Sequence, residues 1–252
     1  MKKFVALVCS CLLSCMLAGP AAAQELVVSA AGSLTNAFDA VKTEFERINP
    51  GVRISPNYAS SGALYRQIEQ GAPVDVYASA DQKWMKEMVS AGFVDQDAVN
   101  DFVHNSIVLV VPPDRSGNVT SLMDVTGDQV RFIGIGNPDA VPAGTYAMNY
   151  LVEHGLWEGL KPKLIFGETV MQIVDYVRRG EVDAGFIFAT EAKRAGDQLK
   201  VVGALELSQP VAYPIAPLKR SKQPELGRKF VQFILSNQGQ EILAGYGFSQ
   251  PE

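Results

Sequence analysis

The feature that most constrains the fold of this chain is a regular alternation of short β-branched runs with segments of helical period. Short segments with β-branched residues predict strands at residues 26–29, 52–58 and 74–78. The segments between and after them repeat apolar residues at helical spacing, as in Leu34, Ala37, Phe38, Val41, Phe45 and Ile48. This order predicts a β-α-β-α-β-α unit whose strands pair in parallel.

The same rhythm restarts after residue 105. Further strands are predicted at residues 107–111, 132–134, 185–188, 201–202 and 211–216, with helices between and after them. We therefore expect an α/β protein of two lobes, each a mostly parallel sheet flanked by helices. The first lobe comprises residues 24–105 and 211–252, and the second, residues 106–210, is inserted into it, with a ligand cleft between the two.

The first 23 residues have the pattern of a signal peptide. Lys2 and Lys3 precede an apolar run that is too short to cross a bilayer, and the segment ends in Ala21-Ala22-Ala23. We expect cleavage after Ala23 and export to the periplasm. All three cysteines (Cys9, Cys11, Cys15) lie in this leader, so the mature chain would have no disulfide or cysteine-bound metal. An alternative is a lipoprotein anchored through Cys15, although the bulky Leu13 fits that poorly.

Charge and motifs exclude several functions. The formal net charge is −5, which disfavours nucleic-acid and anionic-membrane partners. The chain has no Gly-x-Ser-x-Gly elbow, phosphate loop, Ser-x-x-Lys or His-Glu-x-x-His motif. The only histidines, His104 and His154, have no spacing that indicates a catalytic triad. The segment Gly134-Ile135-Gly136 has Asp139 where a dinucleotide-binding loop needs a third glycine.

Carboxylates also indicate no metal site. Asp81 is expected to cap a helix, and Asp75, Glu168 and Asp183 are expected to be structural or solvated. A Ca²⁺ or Mg²⁺ cluster is the alternative, but no Asp-x-Asp-x-Asp-Gly loop is present. We therefore predict no cofactor.

A recurring feature remains at the strand-to-helix junctions. Small or apolar residues begin four predicted helices: Ala31-Gly32-Ser33, Ser60-Ser61-Gly62, Pro142-Ala143-Gly144 and Thr169-Val170. A helix start leaves up to four backbone N–H groups unpaired and carries roughly half a positive charge, so it can bind an anion without a cationic side chain. The alternative is structural, with Ser33 and Ser61 as plain N-caps and Pro142 as an ordinary first-turn proline. A second alternative is an exported hydrolase with Ser33 or Ser61 as the nucleophile, but neither junction offers a base.

At these residues the chain resembles the periplasmic molybdate-binding proteins of ABC transporters, a family of type II solute-binding proteins. The resemblance runs in order through Ala30-Ala31-Gly32-Ser33-Leu34-Thr35-Asn36-Ala37, Ala59-Ser60-Ser61, Gln67 to Asp75, Ser79 to Met85, His104-Asn105-Ser106, Gly136-Asn137-Pro138, Val141 to Gly144 and Tyr246-Gly247-Phe248. It implies a two-lobed, non-enzymatic receptor that closes on molybdate or tungstate and delivers it to a membrane permease, and we expect this receptor to be a monomer.

The resemblance also implies the ligand contacts. Ser33 and Ser61 would contribute hydroxyl and amide donors, and Ala143 and Val170 would contribute amides, all to the oxygens of the anion and none directly to the metal. The family often adds a tyrosine hydroxyl where this chain has Phe188, so one donor is missing or comes from elsewhere. A site of donors alone suits fully deprotonated dianions, whereas the proton of hydrogen phosphate would stay unpaired at a cost of about 1–3 kcal/mol. Sulfate carries no proton, so a receptor for sulfate or another tetrahedral oxyanion is an alternative.

Overall fold

The structure, a computed structural model, describes residues 24–115 and 119–251. The predicted leader, its cleavage site and Cys15 lie outside these residues. The strands of the described chain are β1 (Gln24–Ala31), β2 (Val52–Ala59), β3 (Val76–Ala78), β4 (Asn100–Asn105), β5 (Ile107–Val111), β6 (Ile133–Gly136), β7 (Leu164–Gly167), β8 (Ala184–Phe188), β9 (Lys200–Ala204) and β10 (Val211–Pro217). Its α-helices are α1 (Thr35–Ile48), α2 (Ser61–Glu69), α3 (Gln82–Ser90), α4 (Pro142–Glu153), α5 (Trp157–Leu160), α6 (Val170–Arg178), α7 (Ala189–Ala195), α8 (Pro224–Leu235) and α9 (Asn237–Gly245).

Two five-stranded sheets organise this part of the chain, with strand orders β2-β1-β3-β10-β4 and β7-β6-β8-β5-β9. In the first sheet β1 pairs in parallel with β2 and β3, as the sequence predicts, but β10 runs antiparallel to β3 and β4. The second sheet repeats the arrangement, since β6 is parallel to β7 and β8 while β5 is antiparallel to β8 and β9.

The expected architecture of two sheets flanked by helices is confirmed, and both sheets are mixed, with two parallel and two antiparallel pairings each. Parallel neighbours need a crossover segment that returns the chain to the same end of the sheet. Strand β5 instead follows β4 of the other sheet after a single residue, and β10 enters from β9 through a short link without a helix. These two strands are free to pair antiparallel.

The sequence pattern does not predict two of the observed strands. Strands β4 and β7 lie at sheet edges, and neither was predicted. In β4 only Phe102 and Val103 are buried, and they are adjacent rather than alternating. In β7 the side chains of Ile165 and Phe166 are exposed. Because an edge strand packs against the core over only part of its length, its sequence carries little alternation.

The predicted apolar face of α1 is buried, except at its last residue. Phe38 and Phe45 pack edge to face against Phe230 of α8, with ring centroids 6.2 and 5.3 Å apart. Ile48 ends the helix and is 41% exposed. The contact of Phe38 and Phe45 with Phe230 packs α1 against α8, and each buried ring contributes about 1.5–3 kcal/mol through the hydrophobic effect.

In the described part of the chain, no helix has the length and apolar character that a bilayer crossing would need.

Candidate functional site

Four strand-to-helix turns meet at one small cavity. The turns follow β1 and β2 in the first sheet and β6 and β7 in the second. Their cavity measures about 20 Å³ and is lined by Ala31, Gly32, Ser33, Ala59, Ser60, Ser61, Ala80, Val141, Pro142, Thr169, Val170 and Phe188. A single water needs about 10–15 Å³ on the same measure, so the cavity suits a ligand of very few atoms.

The first sheet brings two serine hydroxyls to the cavity. Ser33 lies in a short 3₁₀ turn ahead of α1, and its Oγ is 3.0 Å from the hydroxyl of Tyr213. Ser61 is the first residue of α2, and its Oγ accepts a hydrogen bond of 3.0 Å from the amide of Ala80. Neither serine is an N-cap, because Ala31 and Ser60 occupy those positions. The plain N-cap interpretation of Ser33 and Ser61 is therefore wrong.

The second sheet brings two helix starts. Val170 is the first residue of α6, and Thr169 caps the helix by accepting from the amide of Gln172 at 3.2 Å. Ala143 is the second residue of α4 and fully buried. It does not itself line the cavity, whereas Pro142 does. Ala143 can thus contribute only through its backbone amide.

Helix α4 approaches β6 closely, which explains why positions 136 and 144 are both glycine. A Cβ on Gly144 would lie 1.8 Å from the carbonyl oxygen of Gly136. Only a residue without a side chain lets the first turn of α4 rest on the end of β6. This contact places the start of α4 at the cavity.

The cavity is rich in donors and carries no charge. Among the residues that the structure describes, none accepts a hydrogen bond from the backbone amides of Ser33, Ser61, Ala143 or Val170. All four belong to the first turn of a helix, where amides lack intrahelical partners and the aligned peptide dipoles favour an anion. None of the lining side chains is ionisable. The arrangement can therefore hold a small anion through neutral donors alone.

The carboxylates named in the sequence are structural or solvated. Asp81 caps α3 by accepting from the amide of Trp84 at 3.1 Å. Asp75 accepts from the amide of Val27 at 2.9 Å, and Asp183 accepts from two successive backbone amides of another loop. Glu168 is exposed. The described residues contain no group of three or more metal-ligating side chains that could hold a cation.

The histidines are also remote from the cavity lining. His104 lies in β4, where its backbone pairs with that of Ser249. His154 is exposed at the end of α4 and stacks on Tyr150 at 4.0 Å between ring centroids. Neither ring lines the cavity beside Ser33 or Ser61, so a Ser-His nucleophile is absent there. Gly134-Ile135-Gly136 forms the body of β6 rather than a phosphate-binding turn.

A larger cavity, of about 260 Å³, adjoins the site and shares Gly32 and Ser33 with it. Its wall includes Glu191, whose Oε2 lies 2.8 Å from a guanidinium nitrogen of Arg194. Lys193 lines this cavity as well, and its ammonium donates to the carbonyl of Gly245 at 3.1 Å. The larger cavity thus contains ionisable side chains of both signs, whereas no side chain that lines the smaller one is ionisable.

Phe188, where the family resemblance implies a tyrosine in other members, lies at the cavity. Its buried ring lines the cavity and packs on Tyr213, with ring centroids 5.6 Å apart. Tyr213 is fully buried in β10 and was not singled out from the sequence. It lies 180 residues from Ser33, and the only signal was a polar hydroxyl within a buried strand. The structure thus brings a tyrosine hydroxyl to this corner from another strand.

Helix α2, which follows the first sheet, contacts the loop that follows β6 of the second sheet beside the cavity. The amide of Gly62, in the first turn of α2, donates to the carbonyl of Ala140 at 3.1 Å. A Cβ on Gly62 would lie 2.9 Å from Cα of Ala140. The first turn of α2 therefore rests on the loop that precedes α4, which closes the cavity on this side.

Comparison with known proteins agrees with this geometry. Residues 26–249 match the family model described as bacterial extracellular solute-binding protein. The chain is 34% identical to the molybdate-binding protein ModA of Escherichia coli, over 98% of each chain. It is 32% identical, over 89% of this chain and 86% of the relative, to a Bacillus subtilis protein whose name describes an ABC transporter substrate-binding lipoprotein.

The fold has a close structural counterpart. The periplasmic molybdate-binding protein of Azotobacter vinelandii superposes with a TM-score of 0.78 at 23% identity, over 90% of this chain and all of the other. At that identity the likeness shows the fold, which is that of the periplasmic binding proteins. The family match identifies a binding protein rather than an enzyme. The chain belongs to the bacterial extracellular solute-binding proteins and, among them, to the molybdate-binding protein family.

Proposed function

We propose that this protein binds molybdate outside the cytoplasm and delivers it to the permease of an ABC transporter. The observation that carries the proposal is the convergence of four helix starts, with unpaired amides and two serine hydroxyls, on a small uncharged cavity. The molybdate specificity named for the Escherichia coli relative supports the choice of anion.

The proposed ligand contacts are Ser33 and Ser61 through hydroxyl and amide, and Ala143 and Val170 through their amides. Phe188 would contact the anion by packing alone. The state of Ser61 supports a site of donors. Its oxygen already accepts from Ala80, so its own proton is available to the ligand. Molybdate and tungstate offer only acceptor oxygens at neutral pH, and we propose that both bind.

The two sheets support the proposed division into lobes. Strands of the first sheet come from residues 24–105 and 211–217, and those of the second from residues 107–204. We propose lobes of residues 24–105 plus 211–252 and of residues 106–210, which close around the anion. The contact between Gly62 and Ala140 joins them on one side of the cavity.

The remaining parts of the proposal concern the chain in the cell. We propose that the protein acts as a monomer in the periplasm after cleavage following Ala23. The name of the Bacillus subtilis relative keeps anchoring through Cys15 as the competing possibility. Mass spectrometry of the exported protein separates the two, since the cleaved form begins at Gln24 and the anchored form carries lipid on Cys15.

Calorimetric titration of the purified mature protein tests the anion. We expect one molybdate per chain, similar binding of tungstate, and much weaker binding of hydrogen phosphate. Ser61→Ala removes a hydrogen bond to a charged acceptor, which contributes about 1.5–3 kcal/mol, so its affinity for molybdate should fall about tenfold or more. Ser208→Ala, at an exposed position, is the matched control and should bind as the unmodified protein does.

Two results would contradict the proposal. Preferential binding of sulfate over molybdate would indicate a receptor for another tetrahedral oxyanion. Equal binding of hydrogen phosphate and molybdate would show that the site contains an acceptor and is not built of donors alone.

A further inference from the structure

We propose that Asn105 and Tyr213 are positioning residues that fix the direction of a hydrogen-bond chain ending at Ser33, so that the proton of the Ser33 hydroxyl is left to the bound anion. This inference rests on the proposed function, and it concerns selectivity between anions of equal charge. Neither Asn105 nor Tyr213 lines the cavity. Both would act through Ser33.

The chain consists of three linked side chains. Asn105 ends β4 and its Nδ2 donates to the Tyr213 hydroxyl at 3.1 Å. The Tyr213 hydroxyl in turn lies 3.0 Å from Oγ of Ser33. Asn105 ends β4, after which the backbone crosses to the second sheet, and Tyr213 lies in β10, the strand by which the backbone returns to the first. The hydrogen-bond chain therefore connects these two strands to Ser33.

The orientation of the Asn105 amide is determined by its other contacts. Its Oδ1 accepts from the amide of Ser106 at 2.9 Å, which only the oxygen of the side chain can do. The Nδ2 group consequently faces the opposite way. Its two hydrogens are directed to Oγ1 of Thr190 at 2.9 Å and to the Tyr213 hydroxyl.

This orientation determines where the remaining protons point. The Tyr213 oxygen accepts from Asn105, so its own proton is directed to Ser33. Burial raises the pKa of Tyr213 well above its ordinary value, so the phenol keeps that proton. Ser33 then accepts from Tyr213, and its own proton cannot return to the same oxygen. The Ser33 proton is left for the ligand.

The two serines of the site thus reach the same state by different routes. Ser61 is held as a donor by a backbone amide, that of Ala80, whereas Ser33 is held as a donor by side chains. A serine hydroxyl without such a partner can turn its proton to a protein acceptor and present its lone pairs to the proton of hydrogen phosphate. The chain from Asn105 fills one lone pair of Ser33 and keeps the Ser33 proton directed at the anion, which favours an anion that only accepts. Tyr213 would thus act on the site through Ser33, while Phe188 occupies the position at which the resemblance implies a tyrosine.

The first test removes the link between Asn105 and Ser33. Tyr213→Phe should weaken molybdate binding about three- to tenfold and should leave hydrogen phosphate binding unchanged or tighter, so the ratio of the two affinities falls. Both are measured by calorimetry at about pH 8, where phosphate is mostly its singly protonated dianion. Tyr65→Phe is the control. Tyr65 does not line the cavity, and its hydroxyl donates to the side chain of Glu69 at 3.2 Å, so its loss should leave the affinity ratio unchanged.

The second test reverses the chain. In Asn105→Asp the side chain can only accept, so Tyr213 should donate to it and Ser33 should donate to Tyr213, which withdraws the Ser33 proton from the anion. We expect molybdate affinity to fall more than tenfold. The added charge of Asn105→Asp also repels the anion. In the Tyr213→Phe background the hydrogen-bond chain is already broken, so Asn105→Asp there measures the loss of molybdate affinity caused by charge repulsion alone. The cost of Asn105→Asp should be clearly smaller in the Tyr213→Phe background.

The outcomes separate the inference from the function on which it rests. If the unmodified protein binds no molybdate, the proposed function is wrong and the inference falls with it. If it binds molybdate but Tyr213→Phe leaves the affinity ratio unchanged, the inference alone is wrong. The same conclusion follows if Asn105→Asp costs equally in both backgrounds.

Discussion

At the scale of the residue, the cavity distinguishes side chains by their hydrogen-bonding role rather than by charge. The Ser61 oxygen accepts from the amide of Ala80, and the Ser33 oxygen lies 3.0 Å from the Tyr213 hydroxyl, which is the donor in the chain that we propose. Phe188 fills the remaining corner with a ring that neither donates nor accepts. The anion would therefore be bound by fixed donors on several sides and by an apolar contact on one.

That apolar corner gives the first prediction. Phe188→Tyr adds a hydroxyl at the cavity wall without changing the ring, and a hydrogen bond to a charged acceptor is favourable. We expect molybdate to bind about threefold more tightly, less than an ideally placed hydroxyl would give, because the cavity is shaped around a phenyl ring. Calorimetric titration measures the change, and thermal unfolding without ligand is the control for stability. An unchanged affinity would mean that position 188 does not reach the anion, and a loss would mean that another group already fills the corner.

At the scale of the element, the site depends on how closely helix starts approach strand ends. The first turn of α4 rests on the end of β6 because Gly136 and Gly144 have no side chains. The first turn of α2 similarly approaches Ala140 through Gly62. A helix start can offer its amides to a ligand only if the backbone itself comes near, so these glycines set the geometry of the donors.

The second prediction concerns this packing. In Gly144→Ala the new Cβ would lie 1.8 Å from a backbone oxygen, so α4 must move away from β6. We expect the free energy of unfolding to fall by about 3 kcal/mol, and molybdate affinity to fall in any folded protein, because the amide of Ala143 moves with the helix. Urea unfolding and calorimetry measure the two effects.

The matched control is Gly159→Ala. Gly159 lies in α5, where a Cβ meets no atom within 4 Å. This substitution should stabilise the protein by about 0.5–1 kcal/mol, because alanine favours the helix, and should leave binding unchanged. Equal stability of the Gly144→Ala variant and the unmodified protein would contradict the assigned packing of α4 on β6.

At the scale of the whole molecule, the pH dependence of stability reports the buried acids that pack near the site. Burial raises the pKa of Glu191 to about 7 against the opposing effect of Arg194, and burial raises the pKa of Asp81 to about 6 despite its helix-capping bond. The folded chain then binds more protons than the unfolded chain between the ordinary carboxyl pKa and these raised values. Stability should therefore fall as pH rises through this range.

The third prediction follows from Glu191. Glu191→Gln stays neutral at every pH, so its stability should match that of the unmodified protein more closely at about pH 5 and exceed it by about 1–3 kcal/mol at about pH 8. Urea unfolding across this pH range measures the difference. The side chain of Glu158 is 81% exposed, so the free energy of unfolding of Glu158→Gln should change with pH as that of the unmodified protein does. A Glu191→Gln variant that keeps the full pH slope would show that Glu191 is ionised throughout.

The sequence by itself determined the repeating strand-helix order and the four small-residue junctions, because both depend on local periodicity and on residues that begin helices. The family and its fold were also recognisable from these motifs. The tertiary structure alone decided which strands pair antiparallel. Strands β5 and β10 each follow a connection that crosses from one sheet to the other, and no local sequence signal encodes their partners. It alone brought Tyr213 to Ser33 across 180 residues. Contacts of that kind arise from packing between distant elements, so they leave no spacing in the sequence from which they could be predicted.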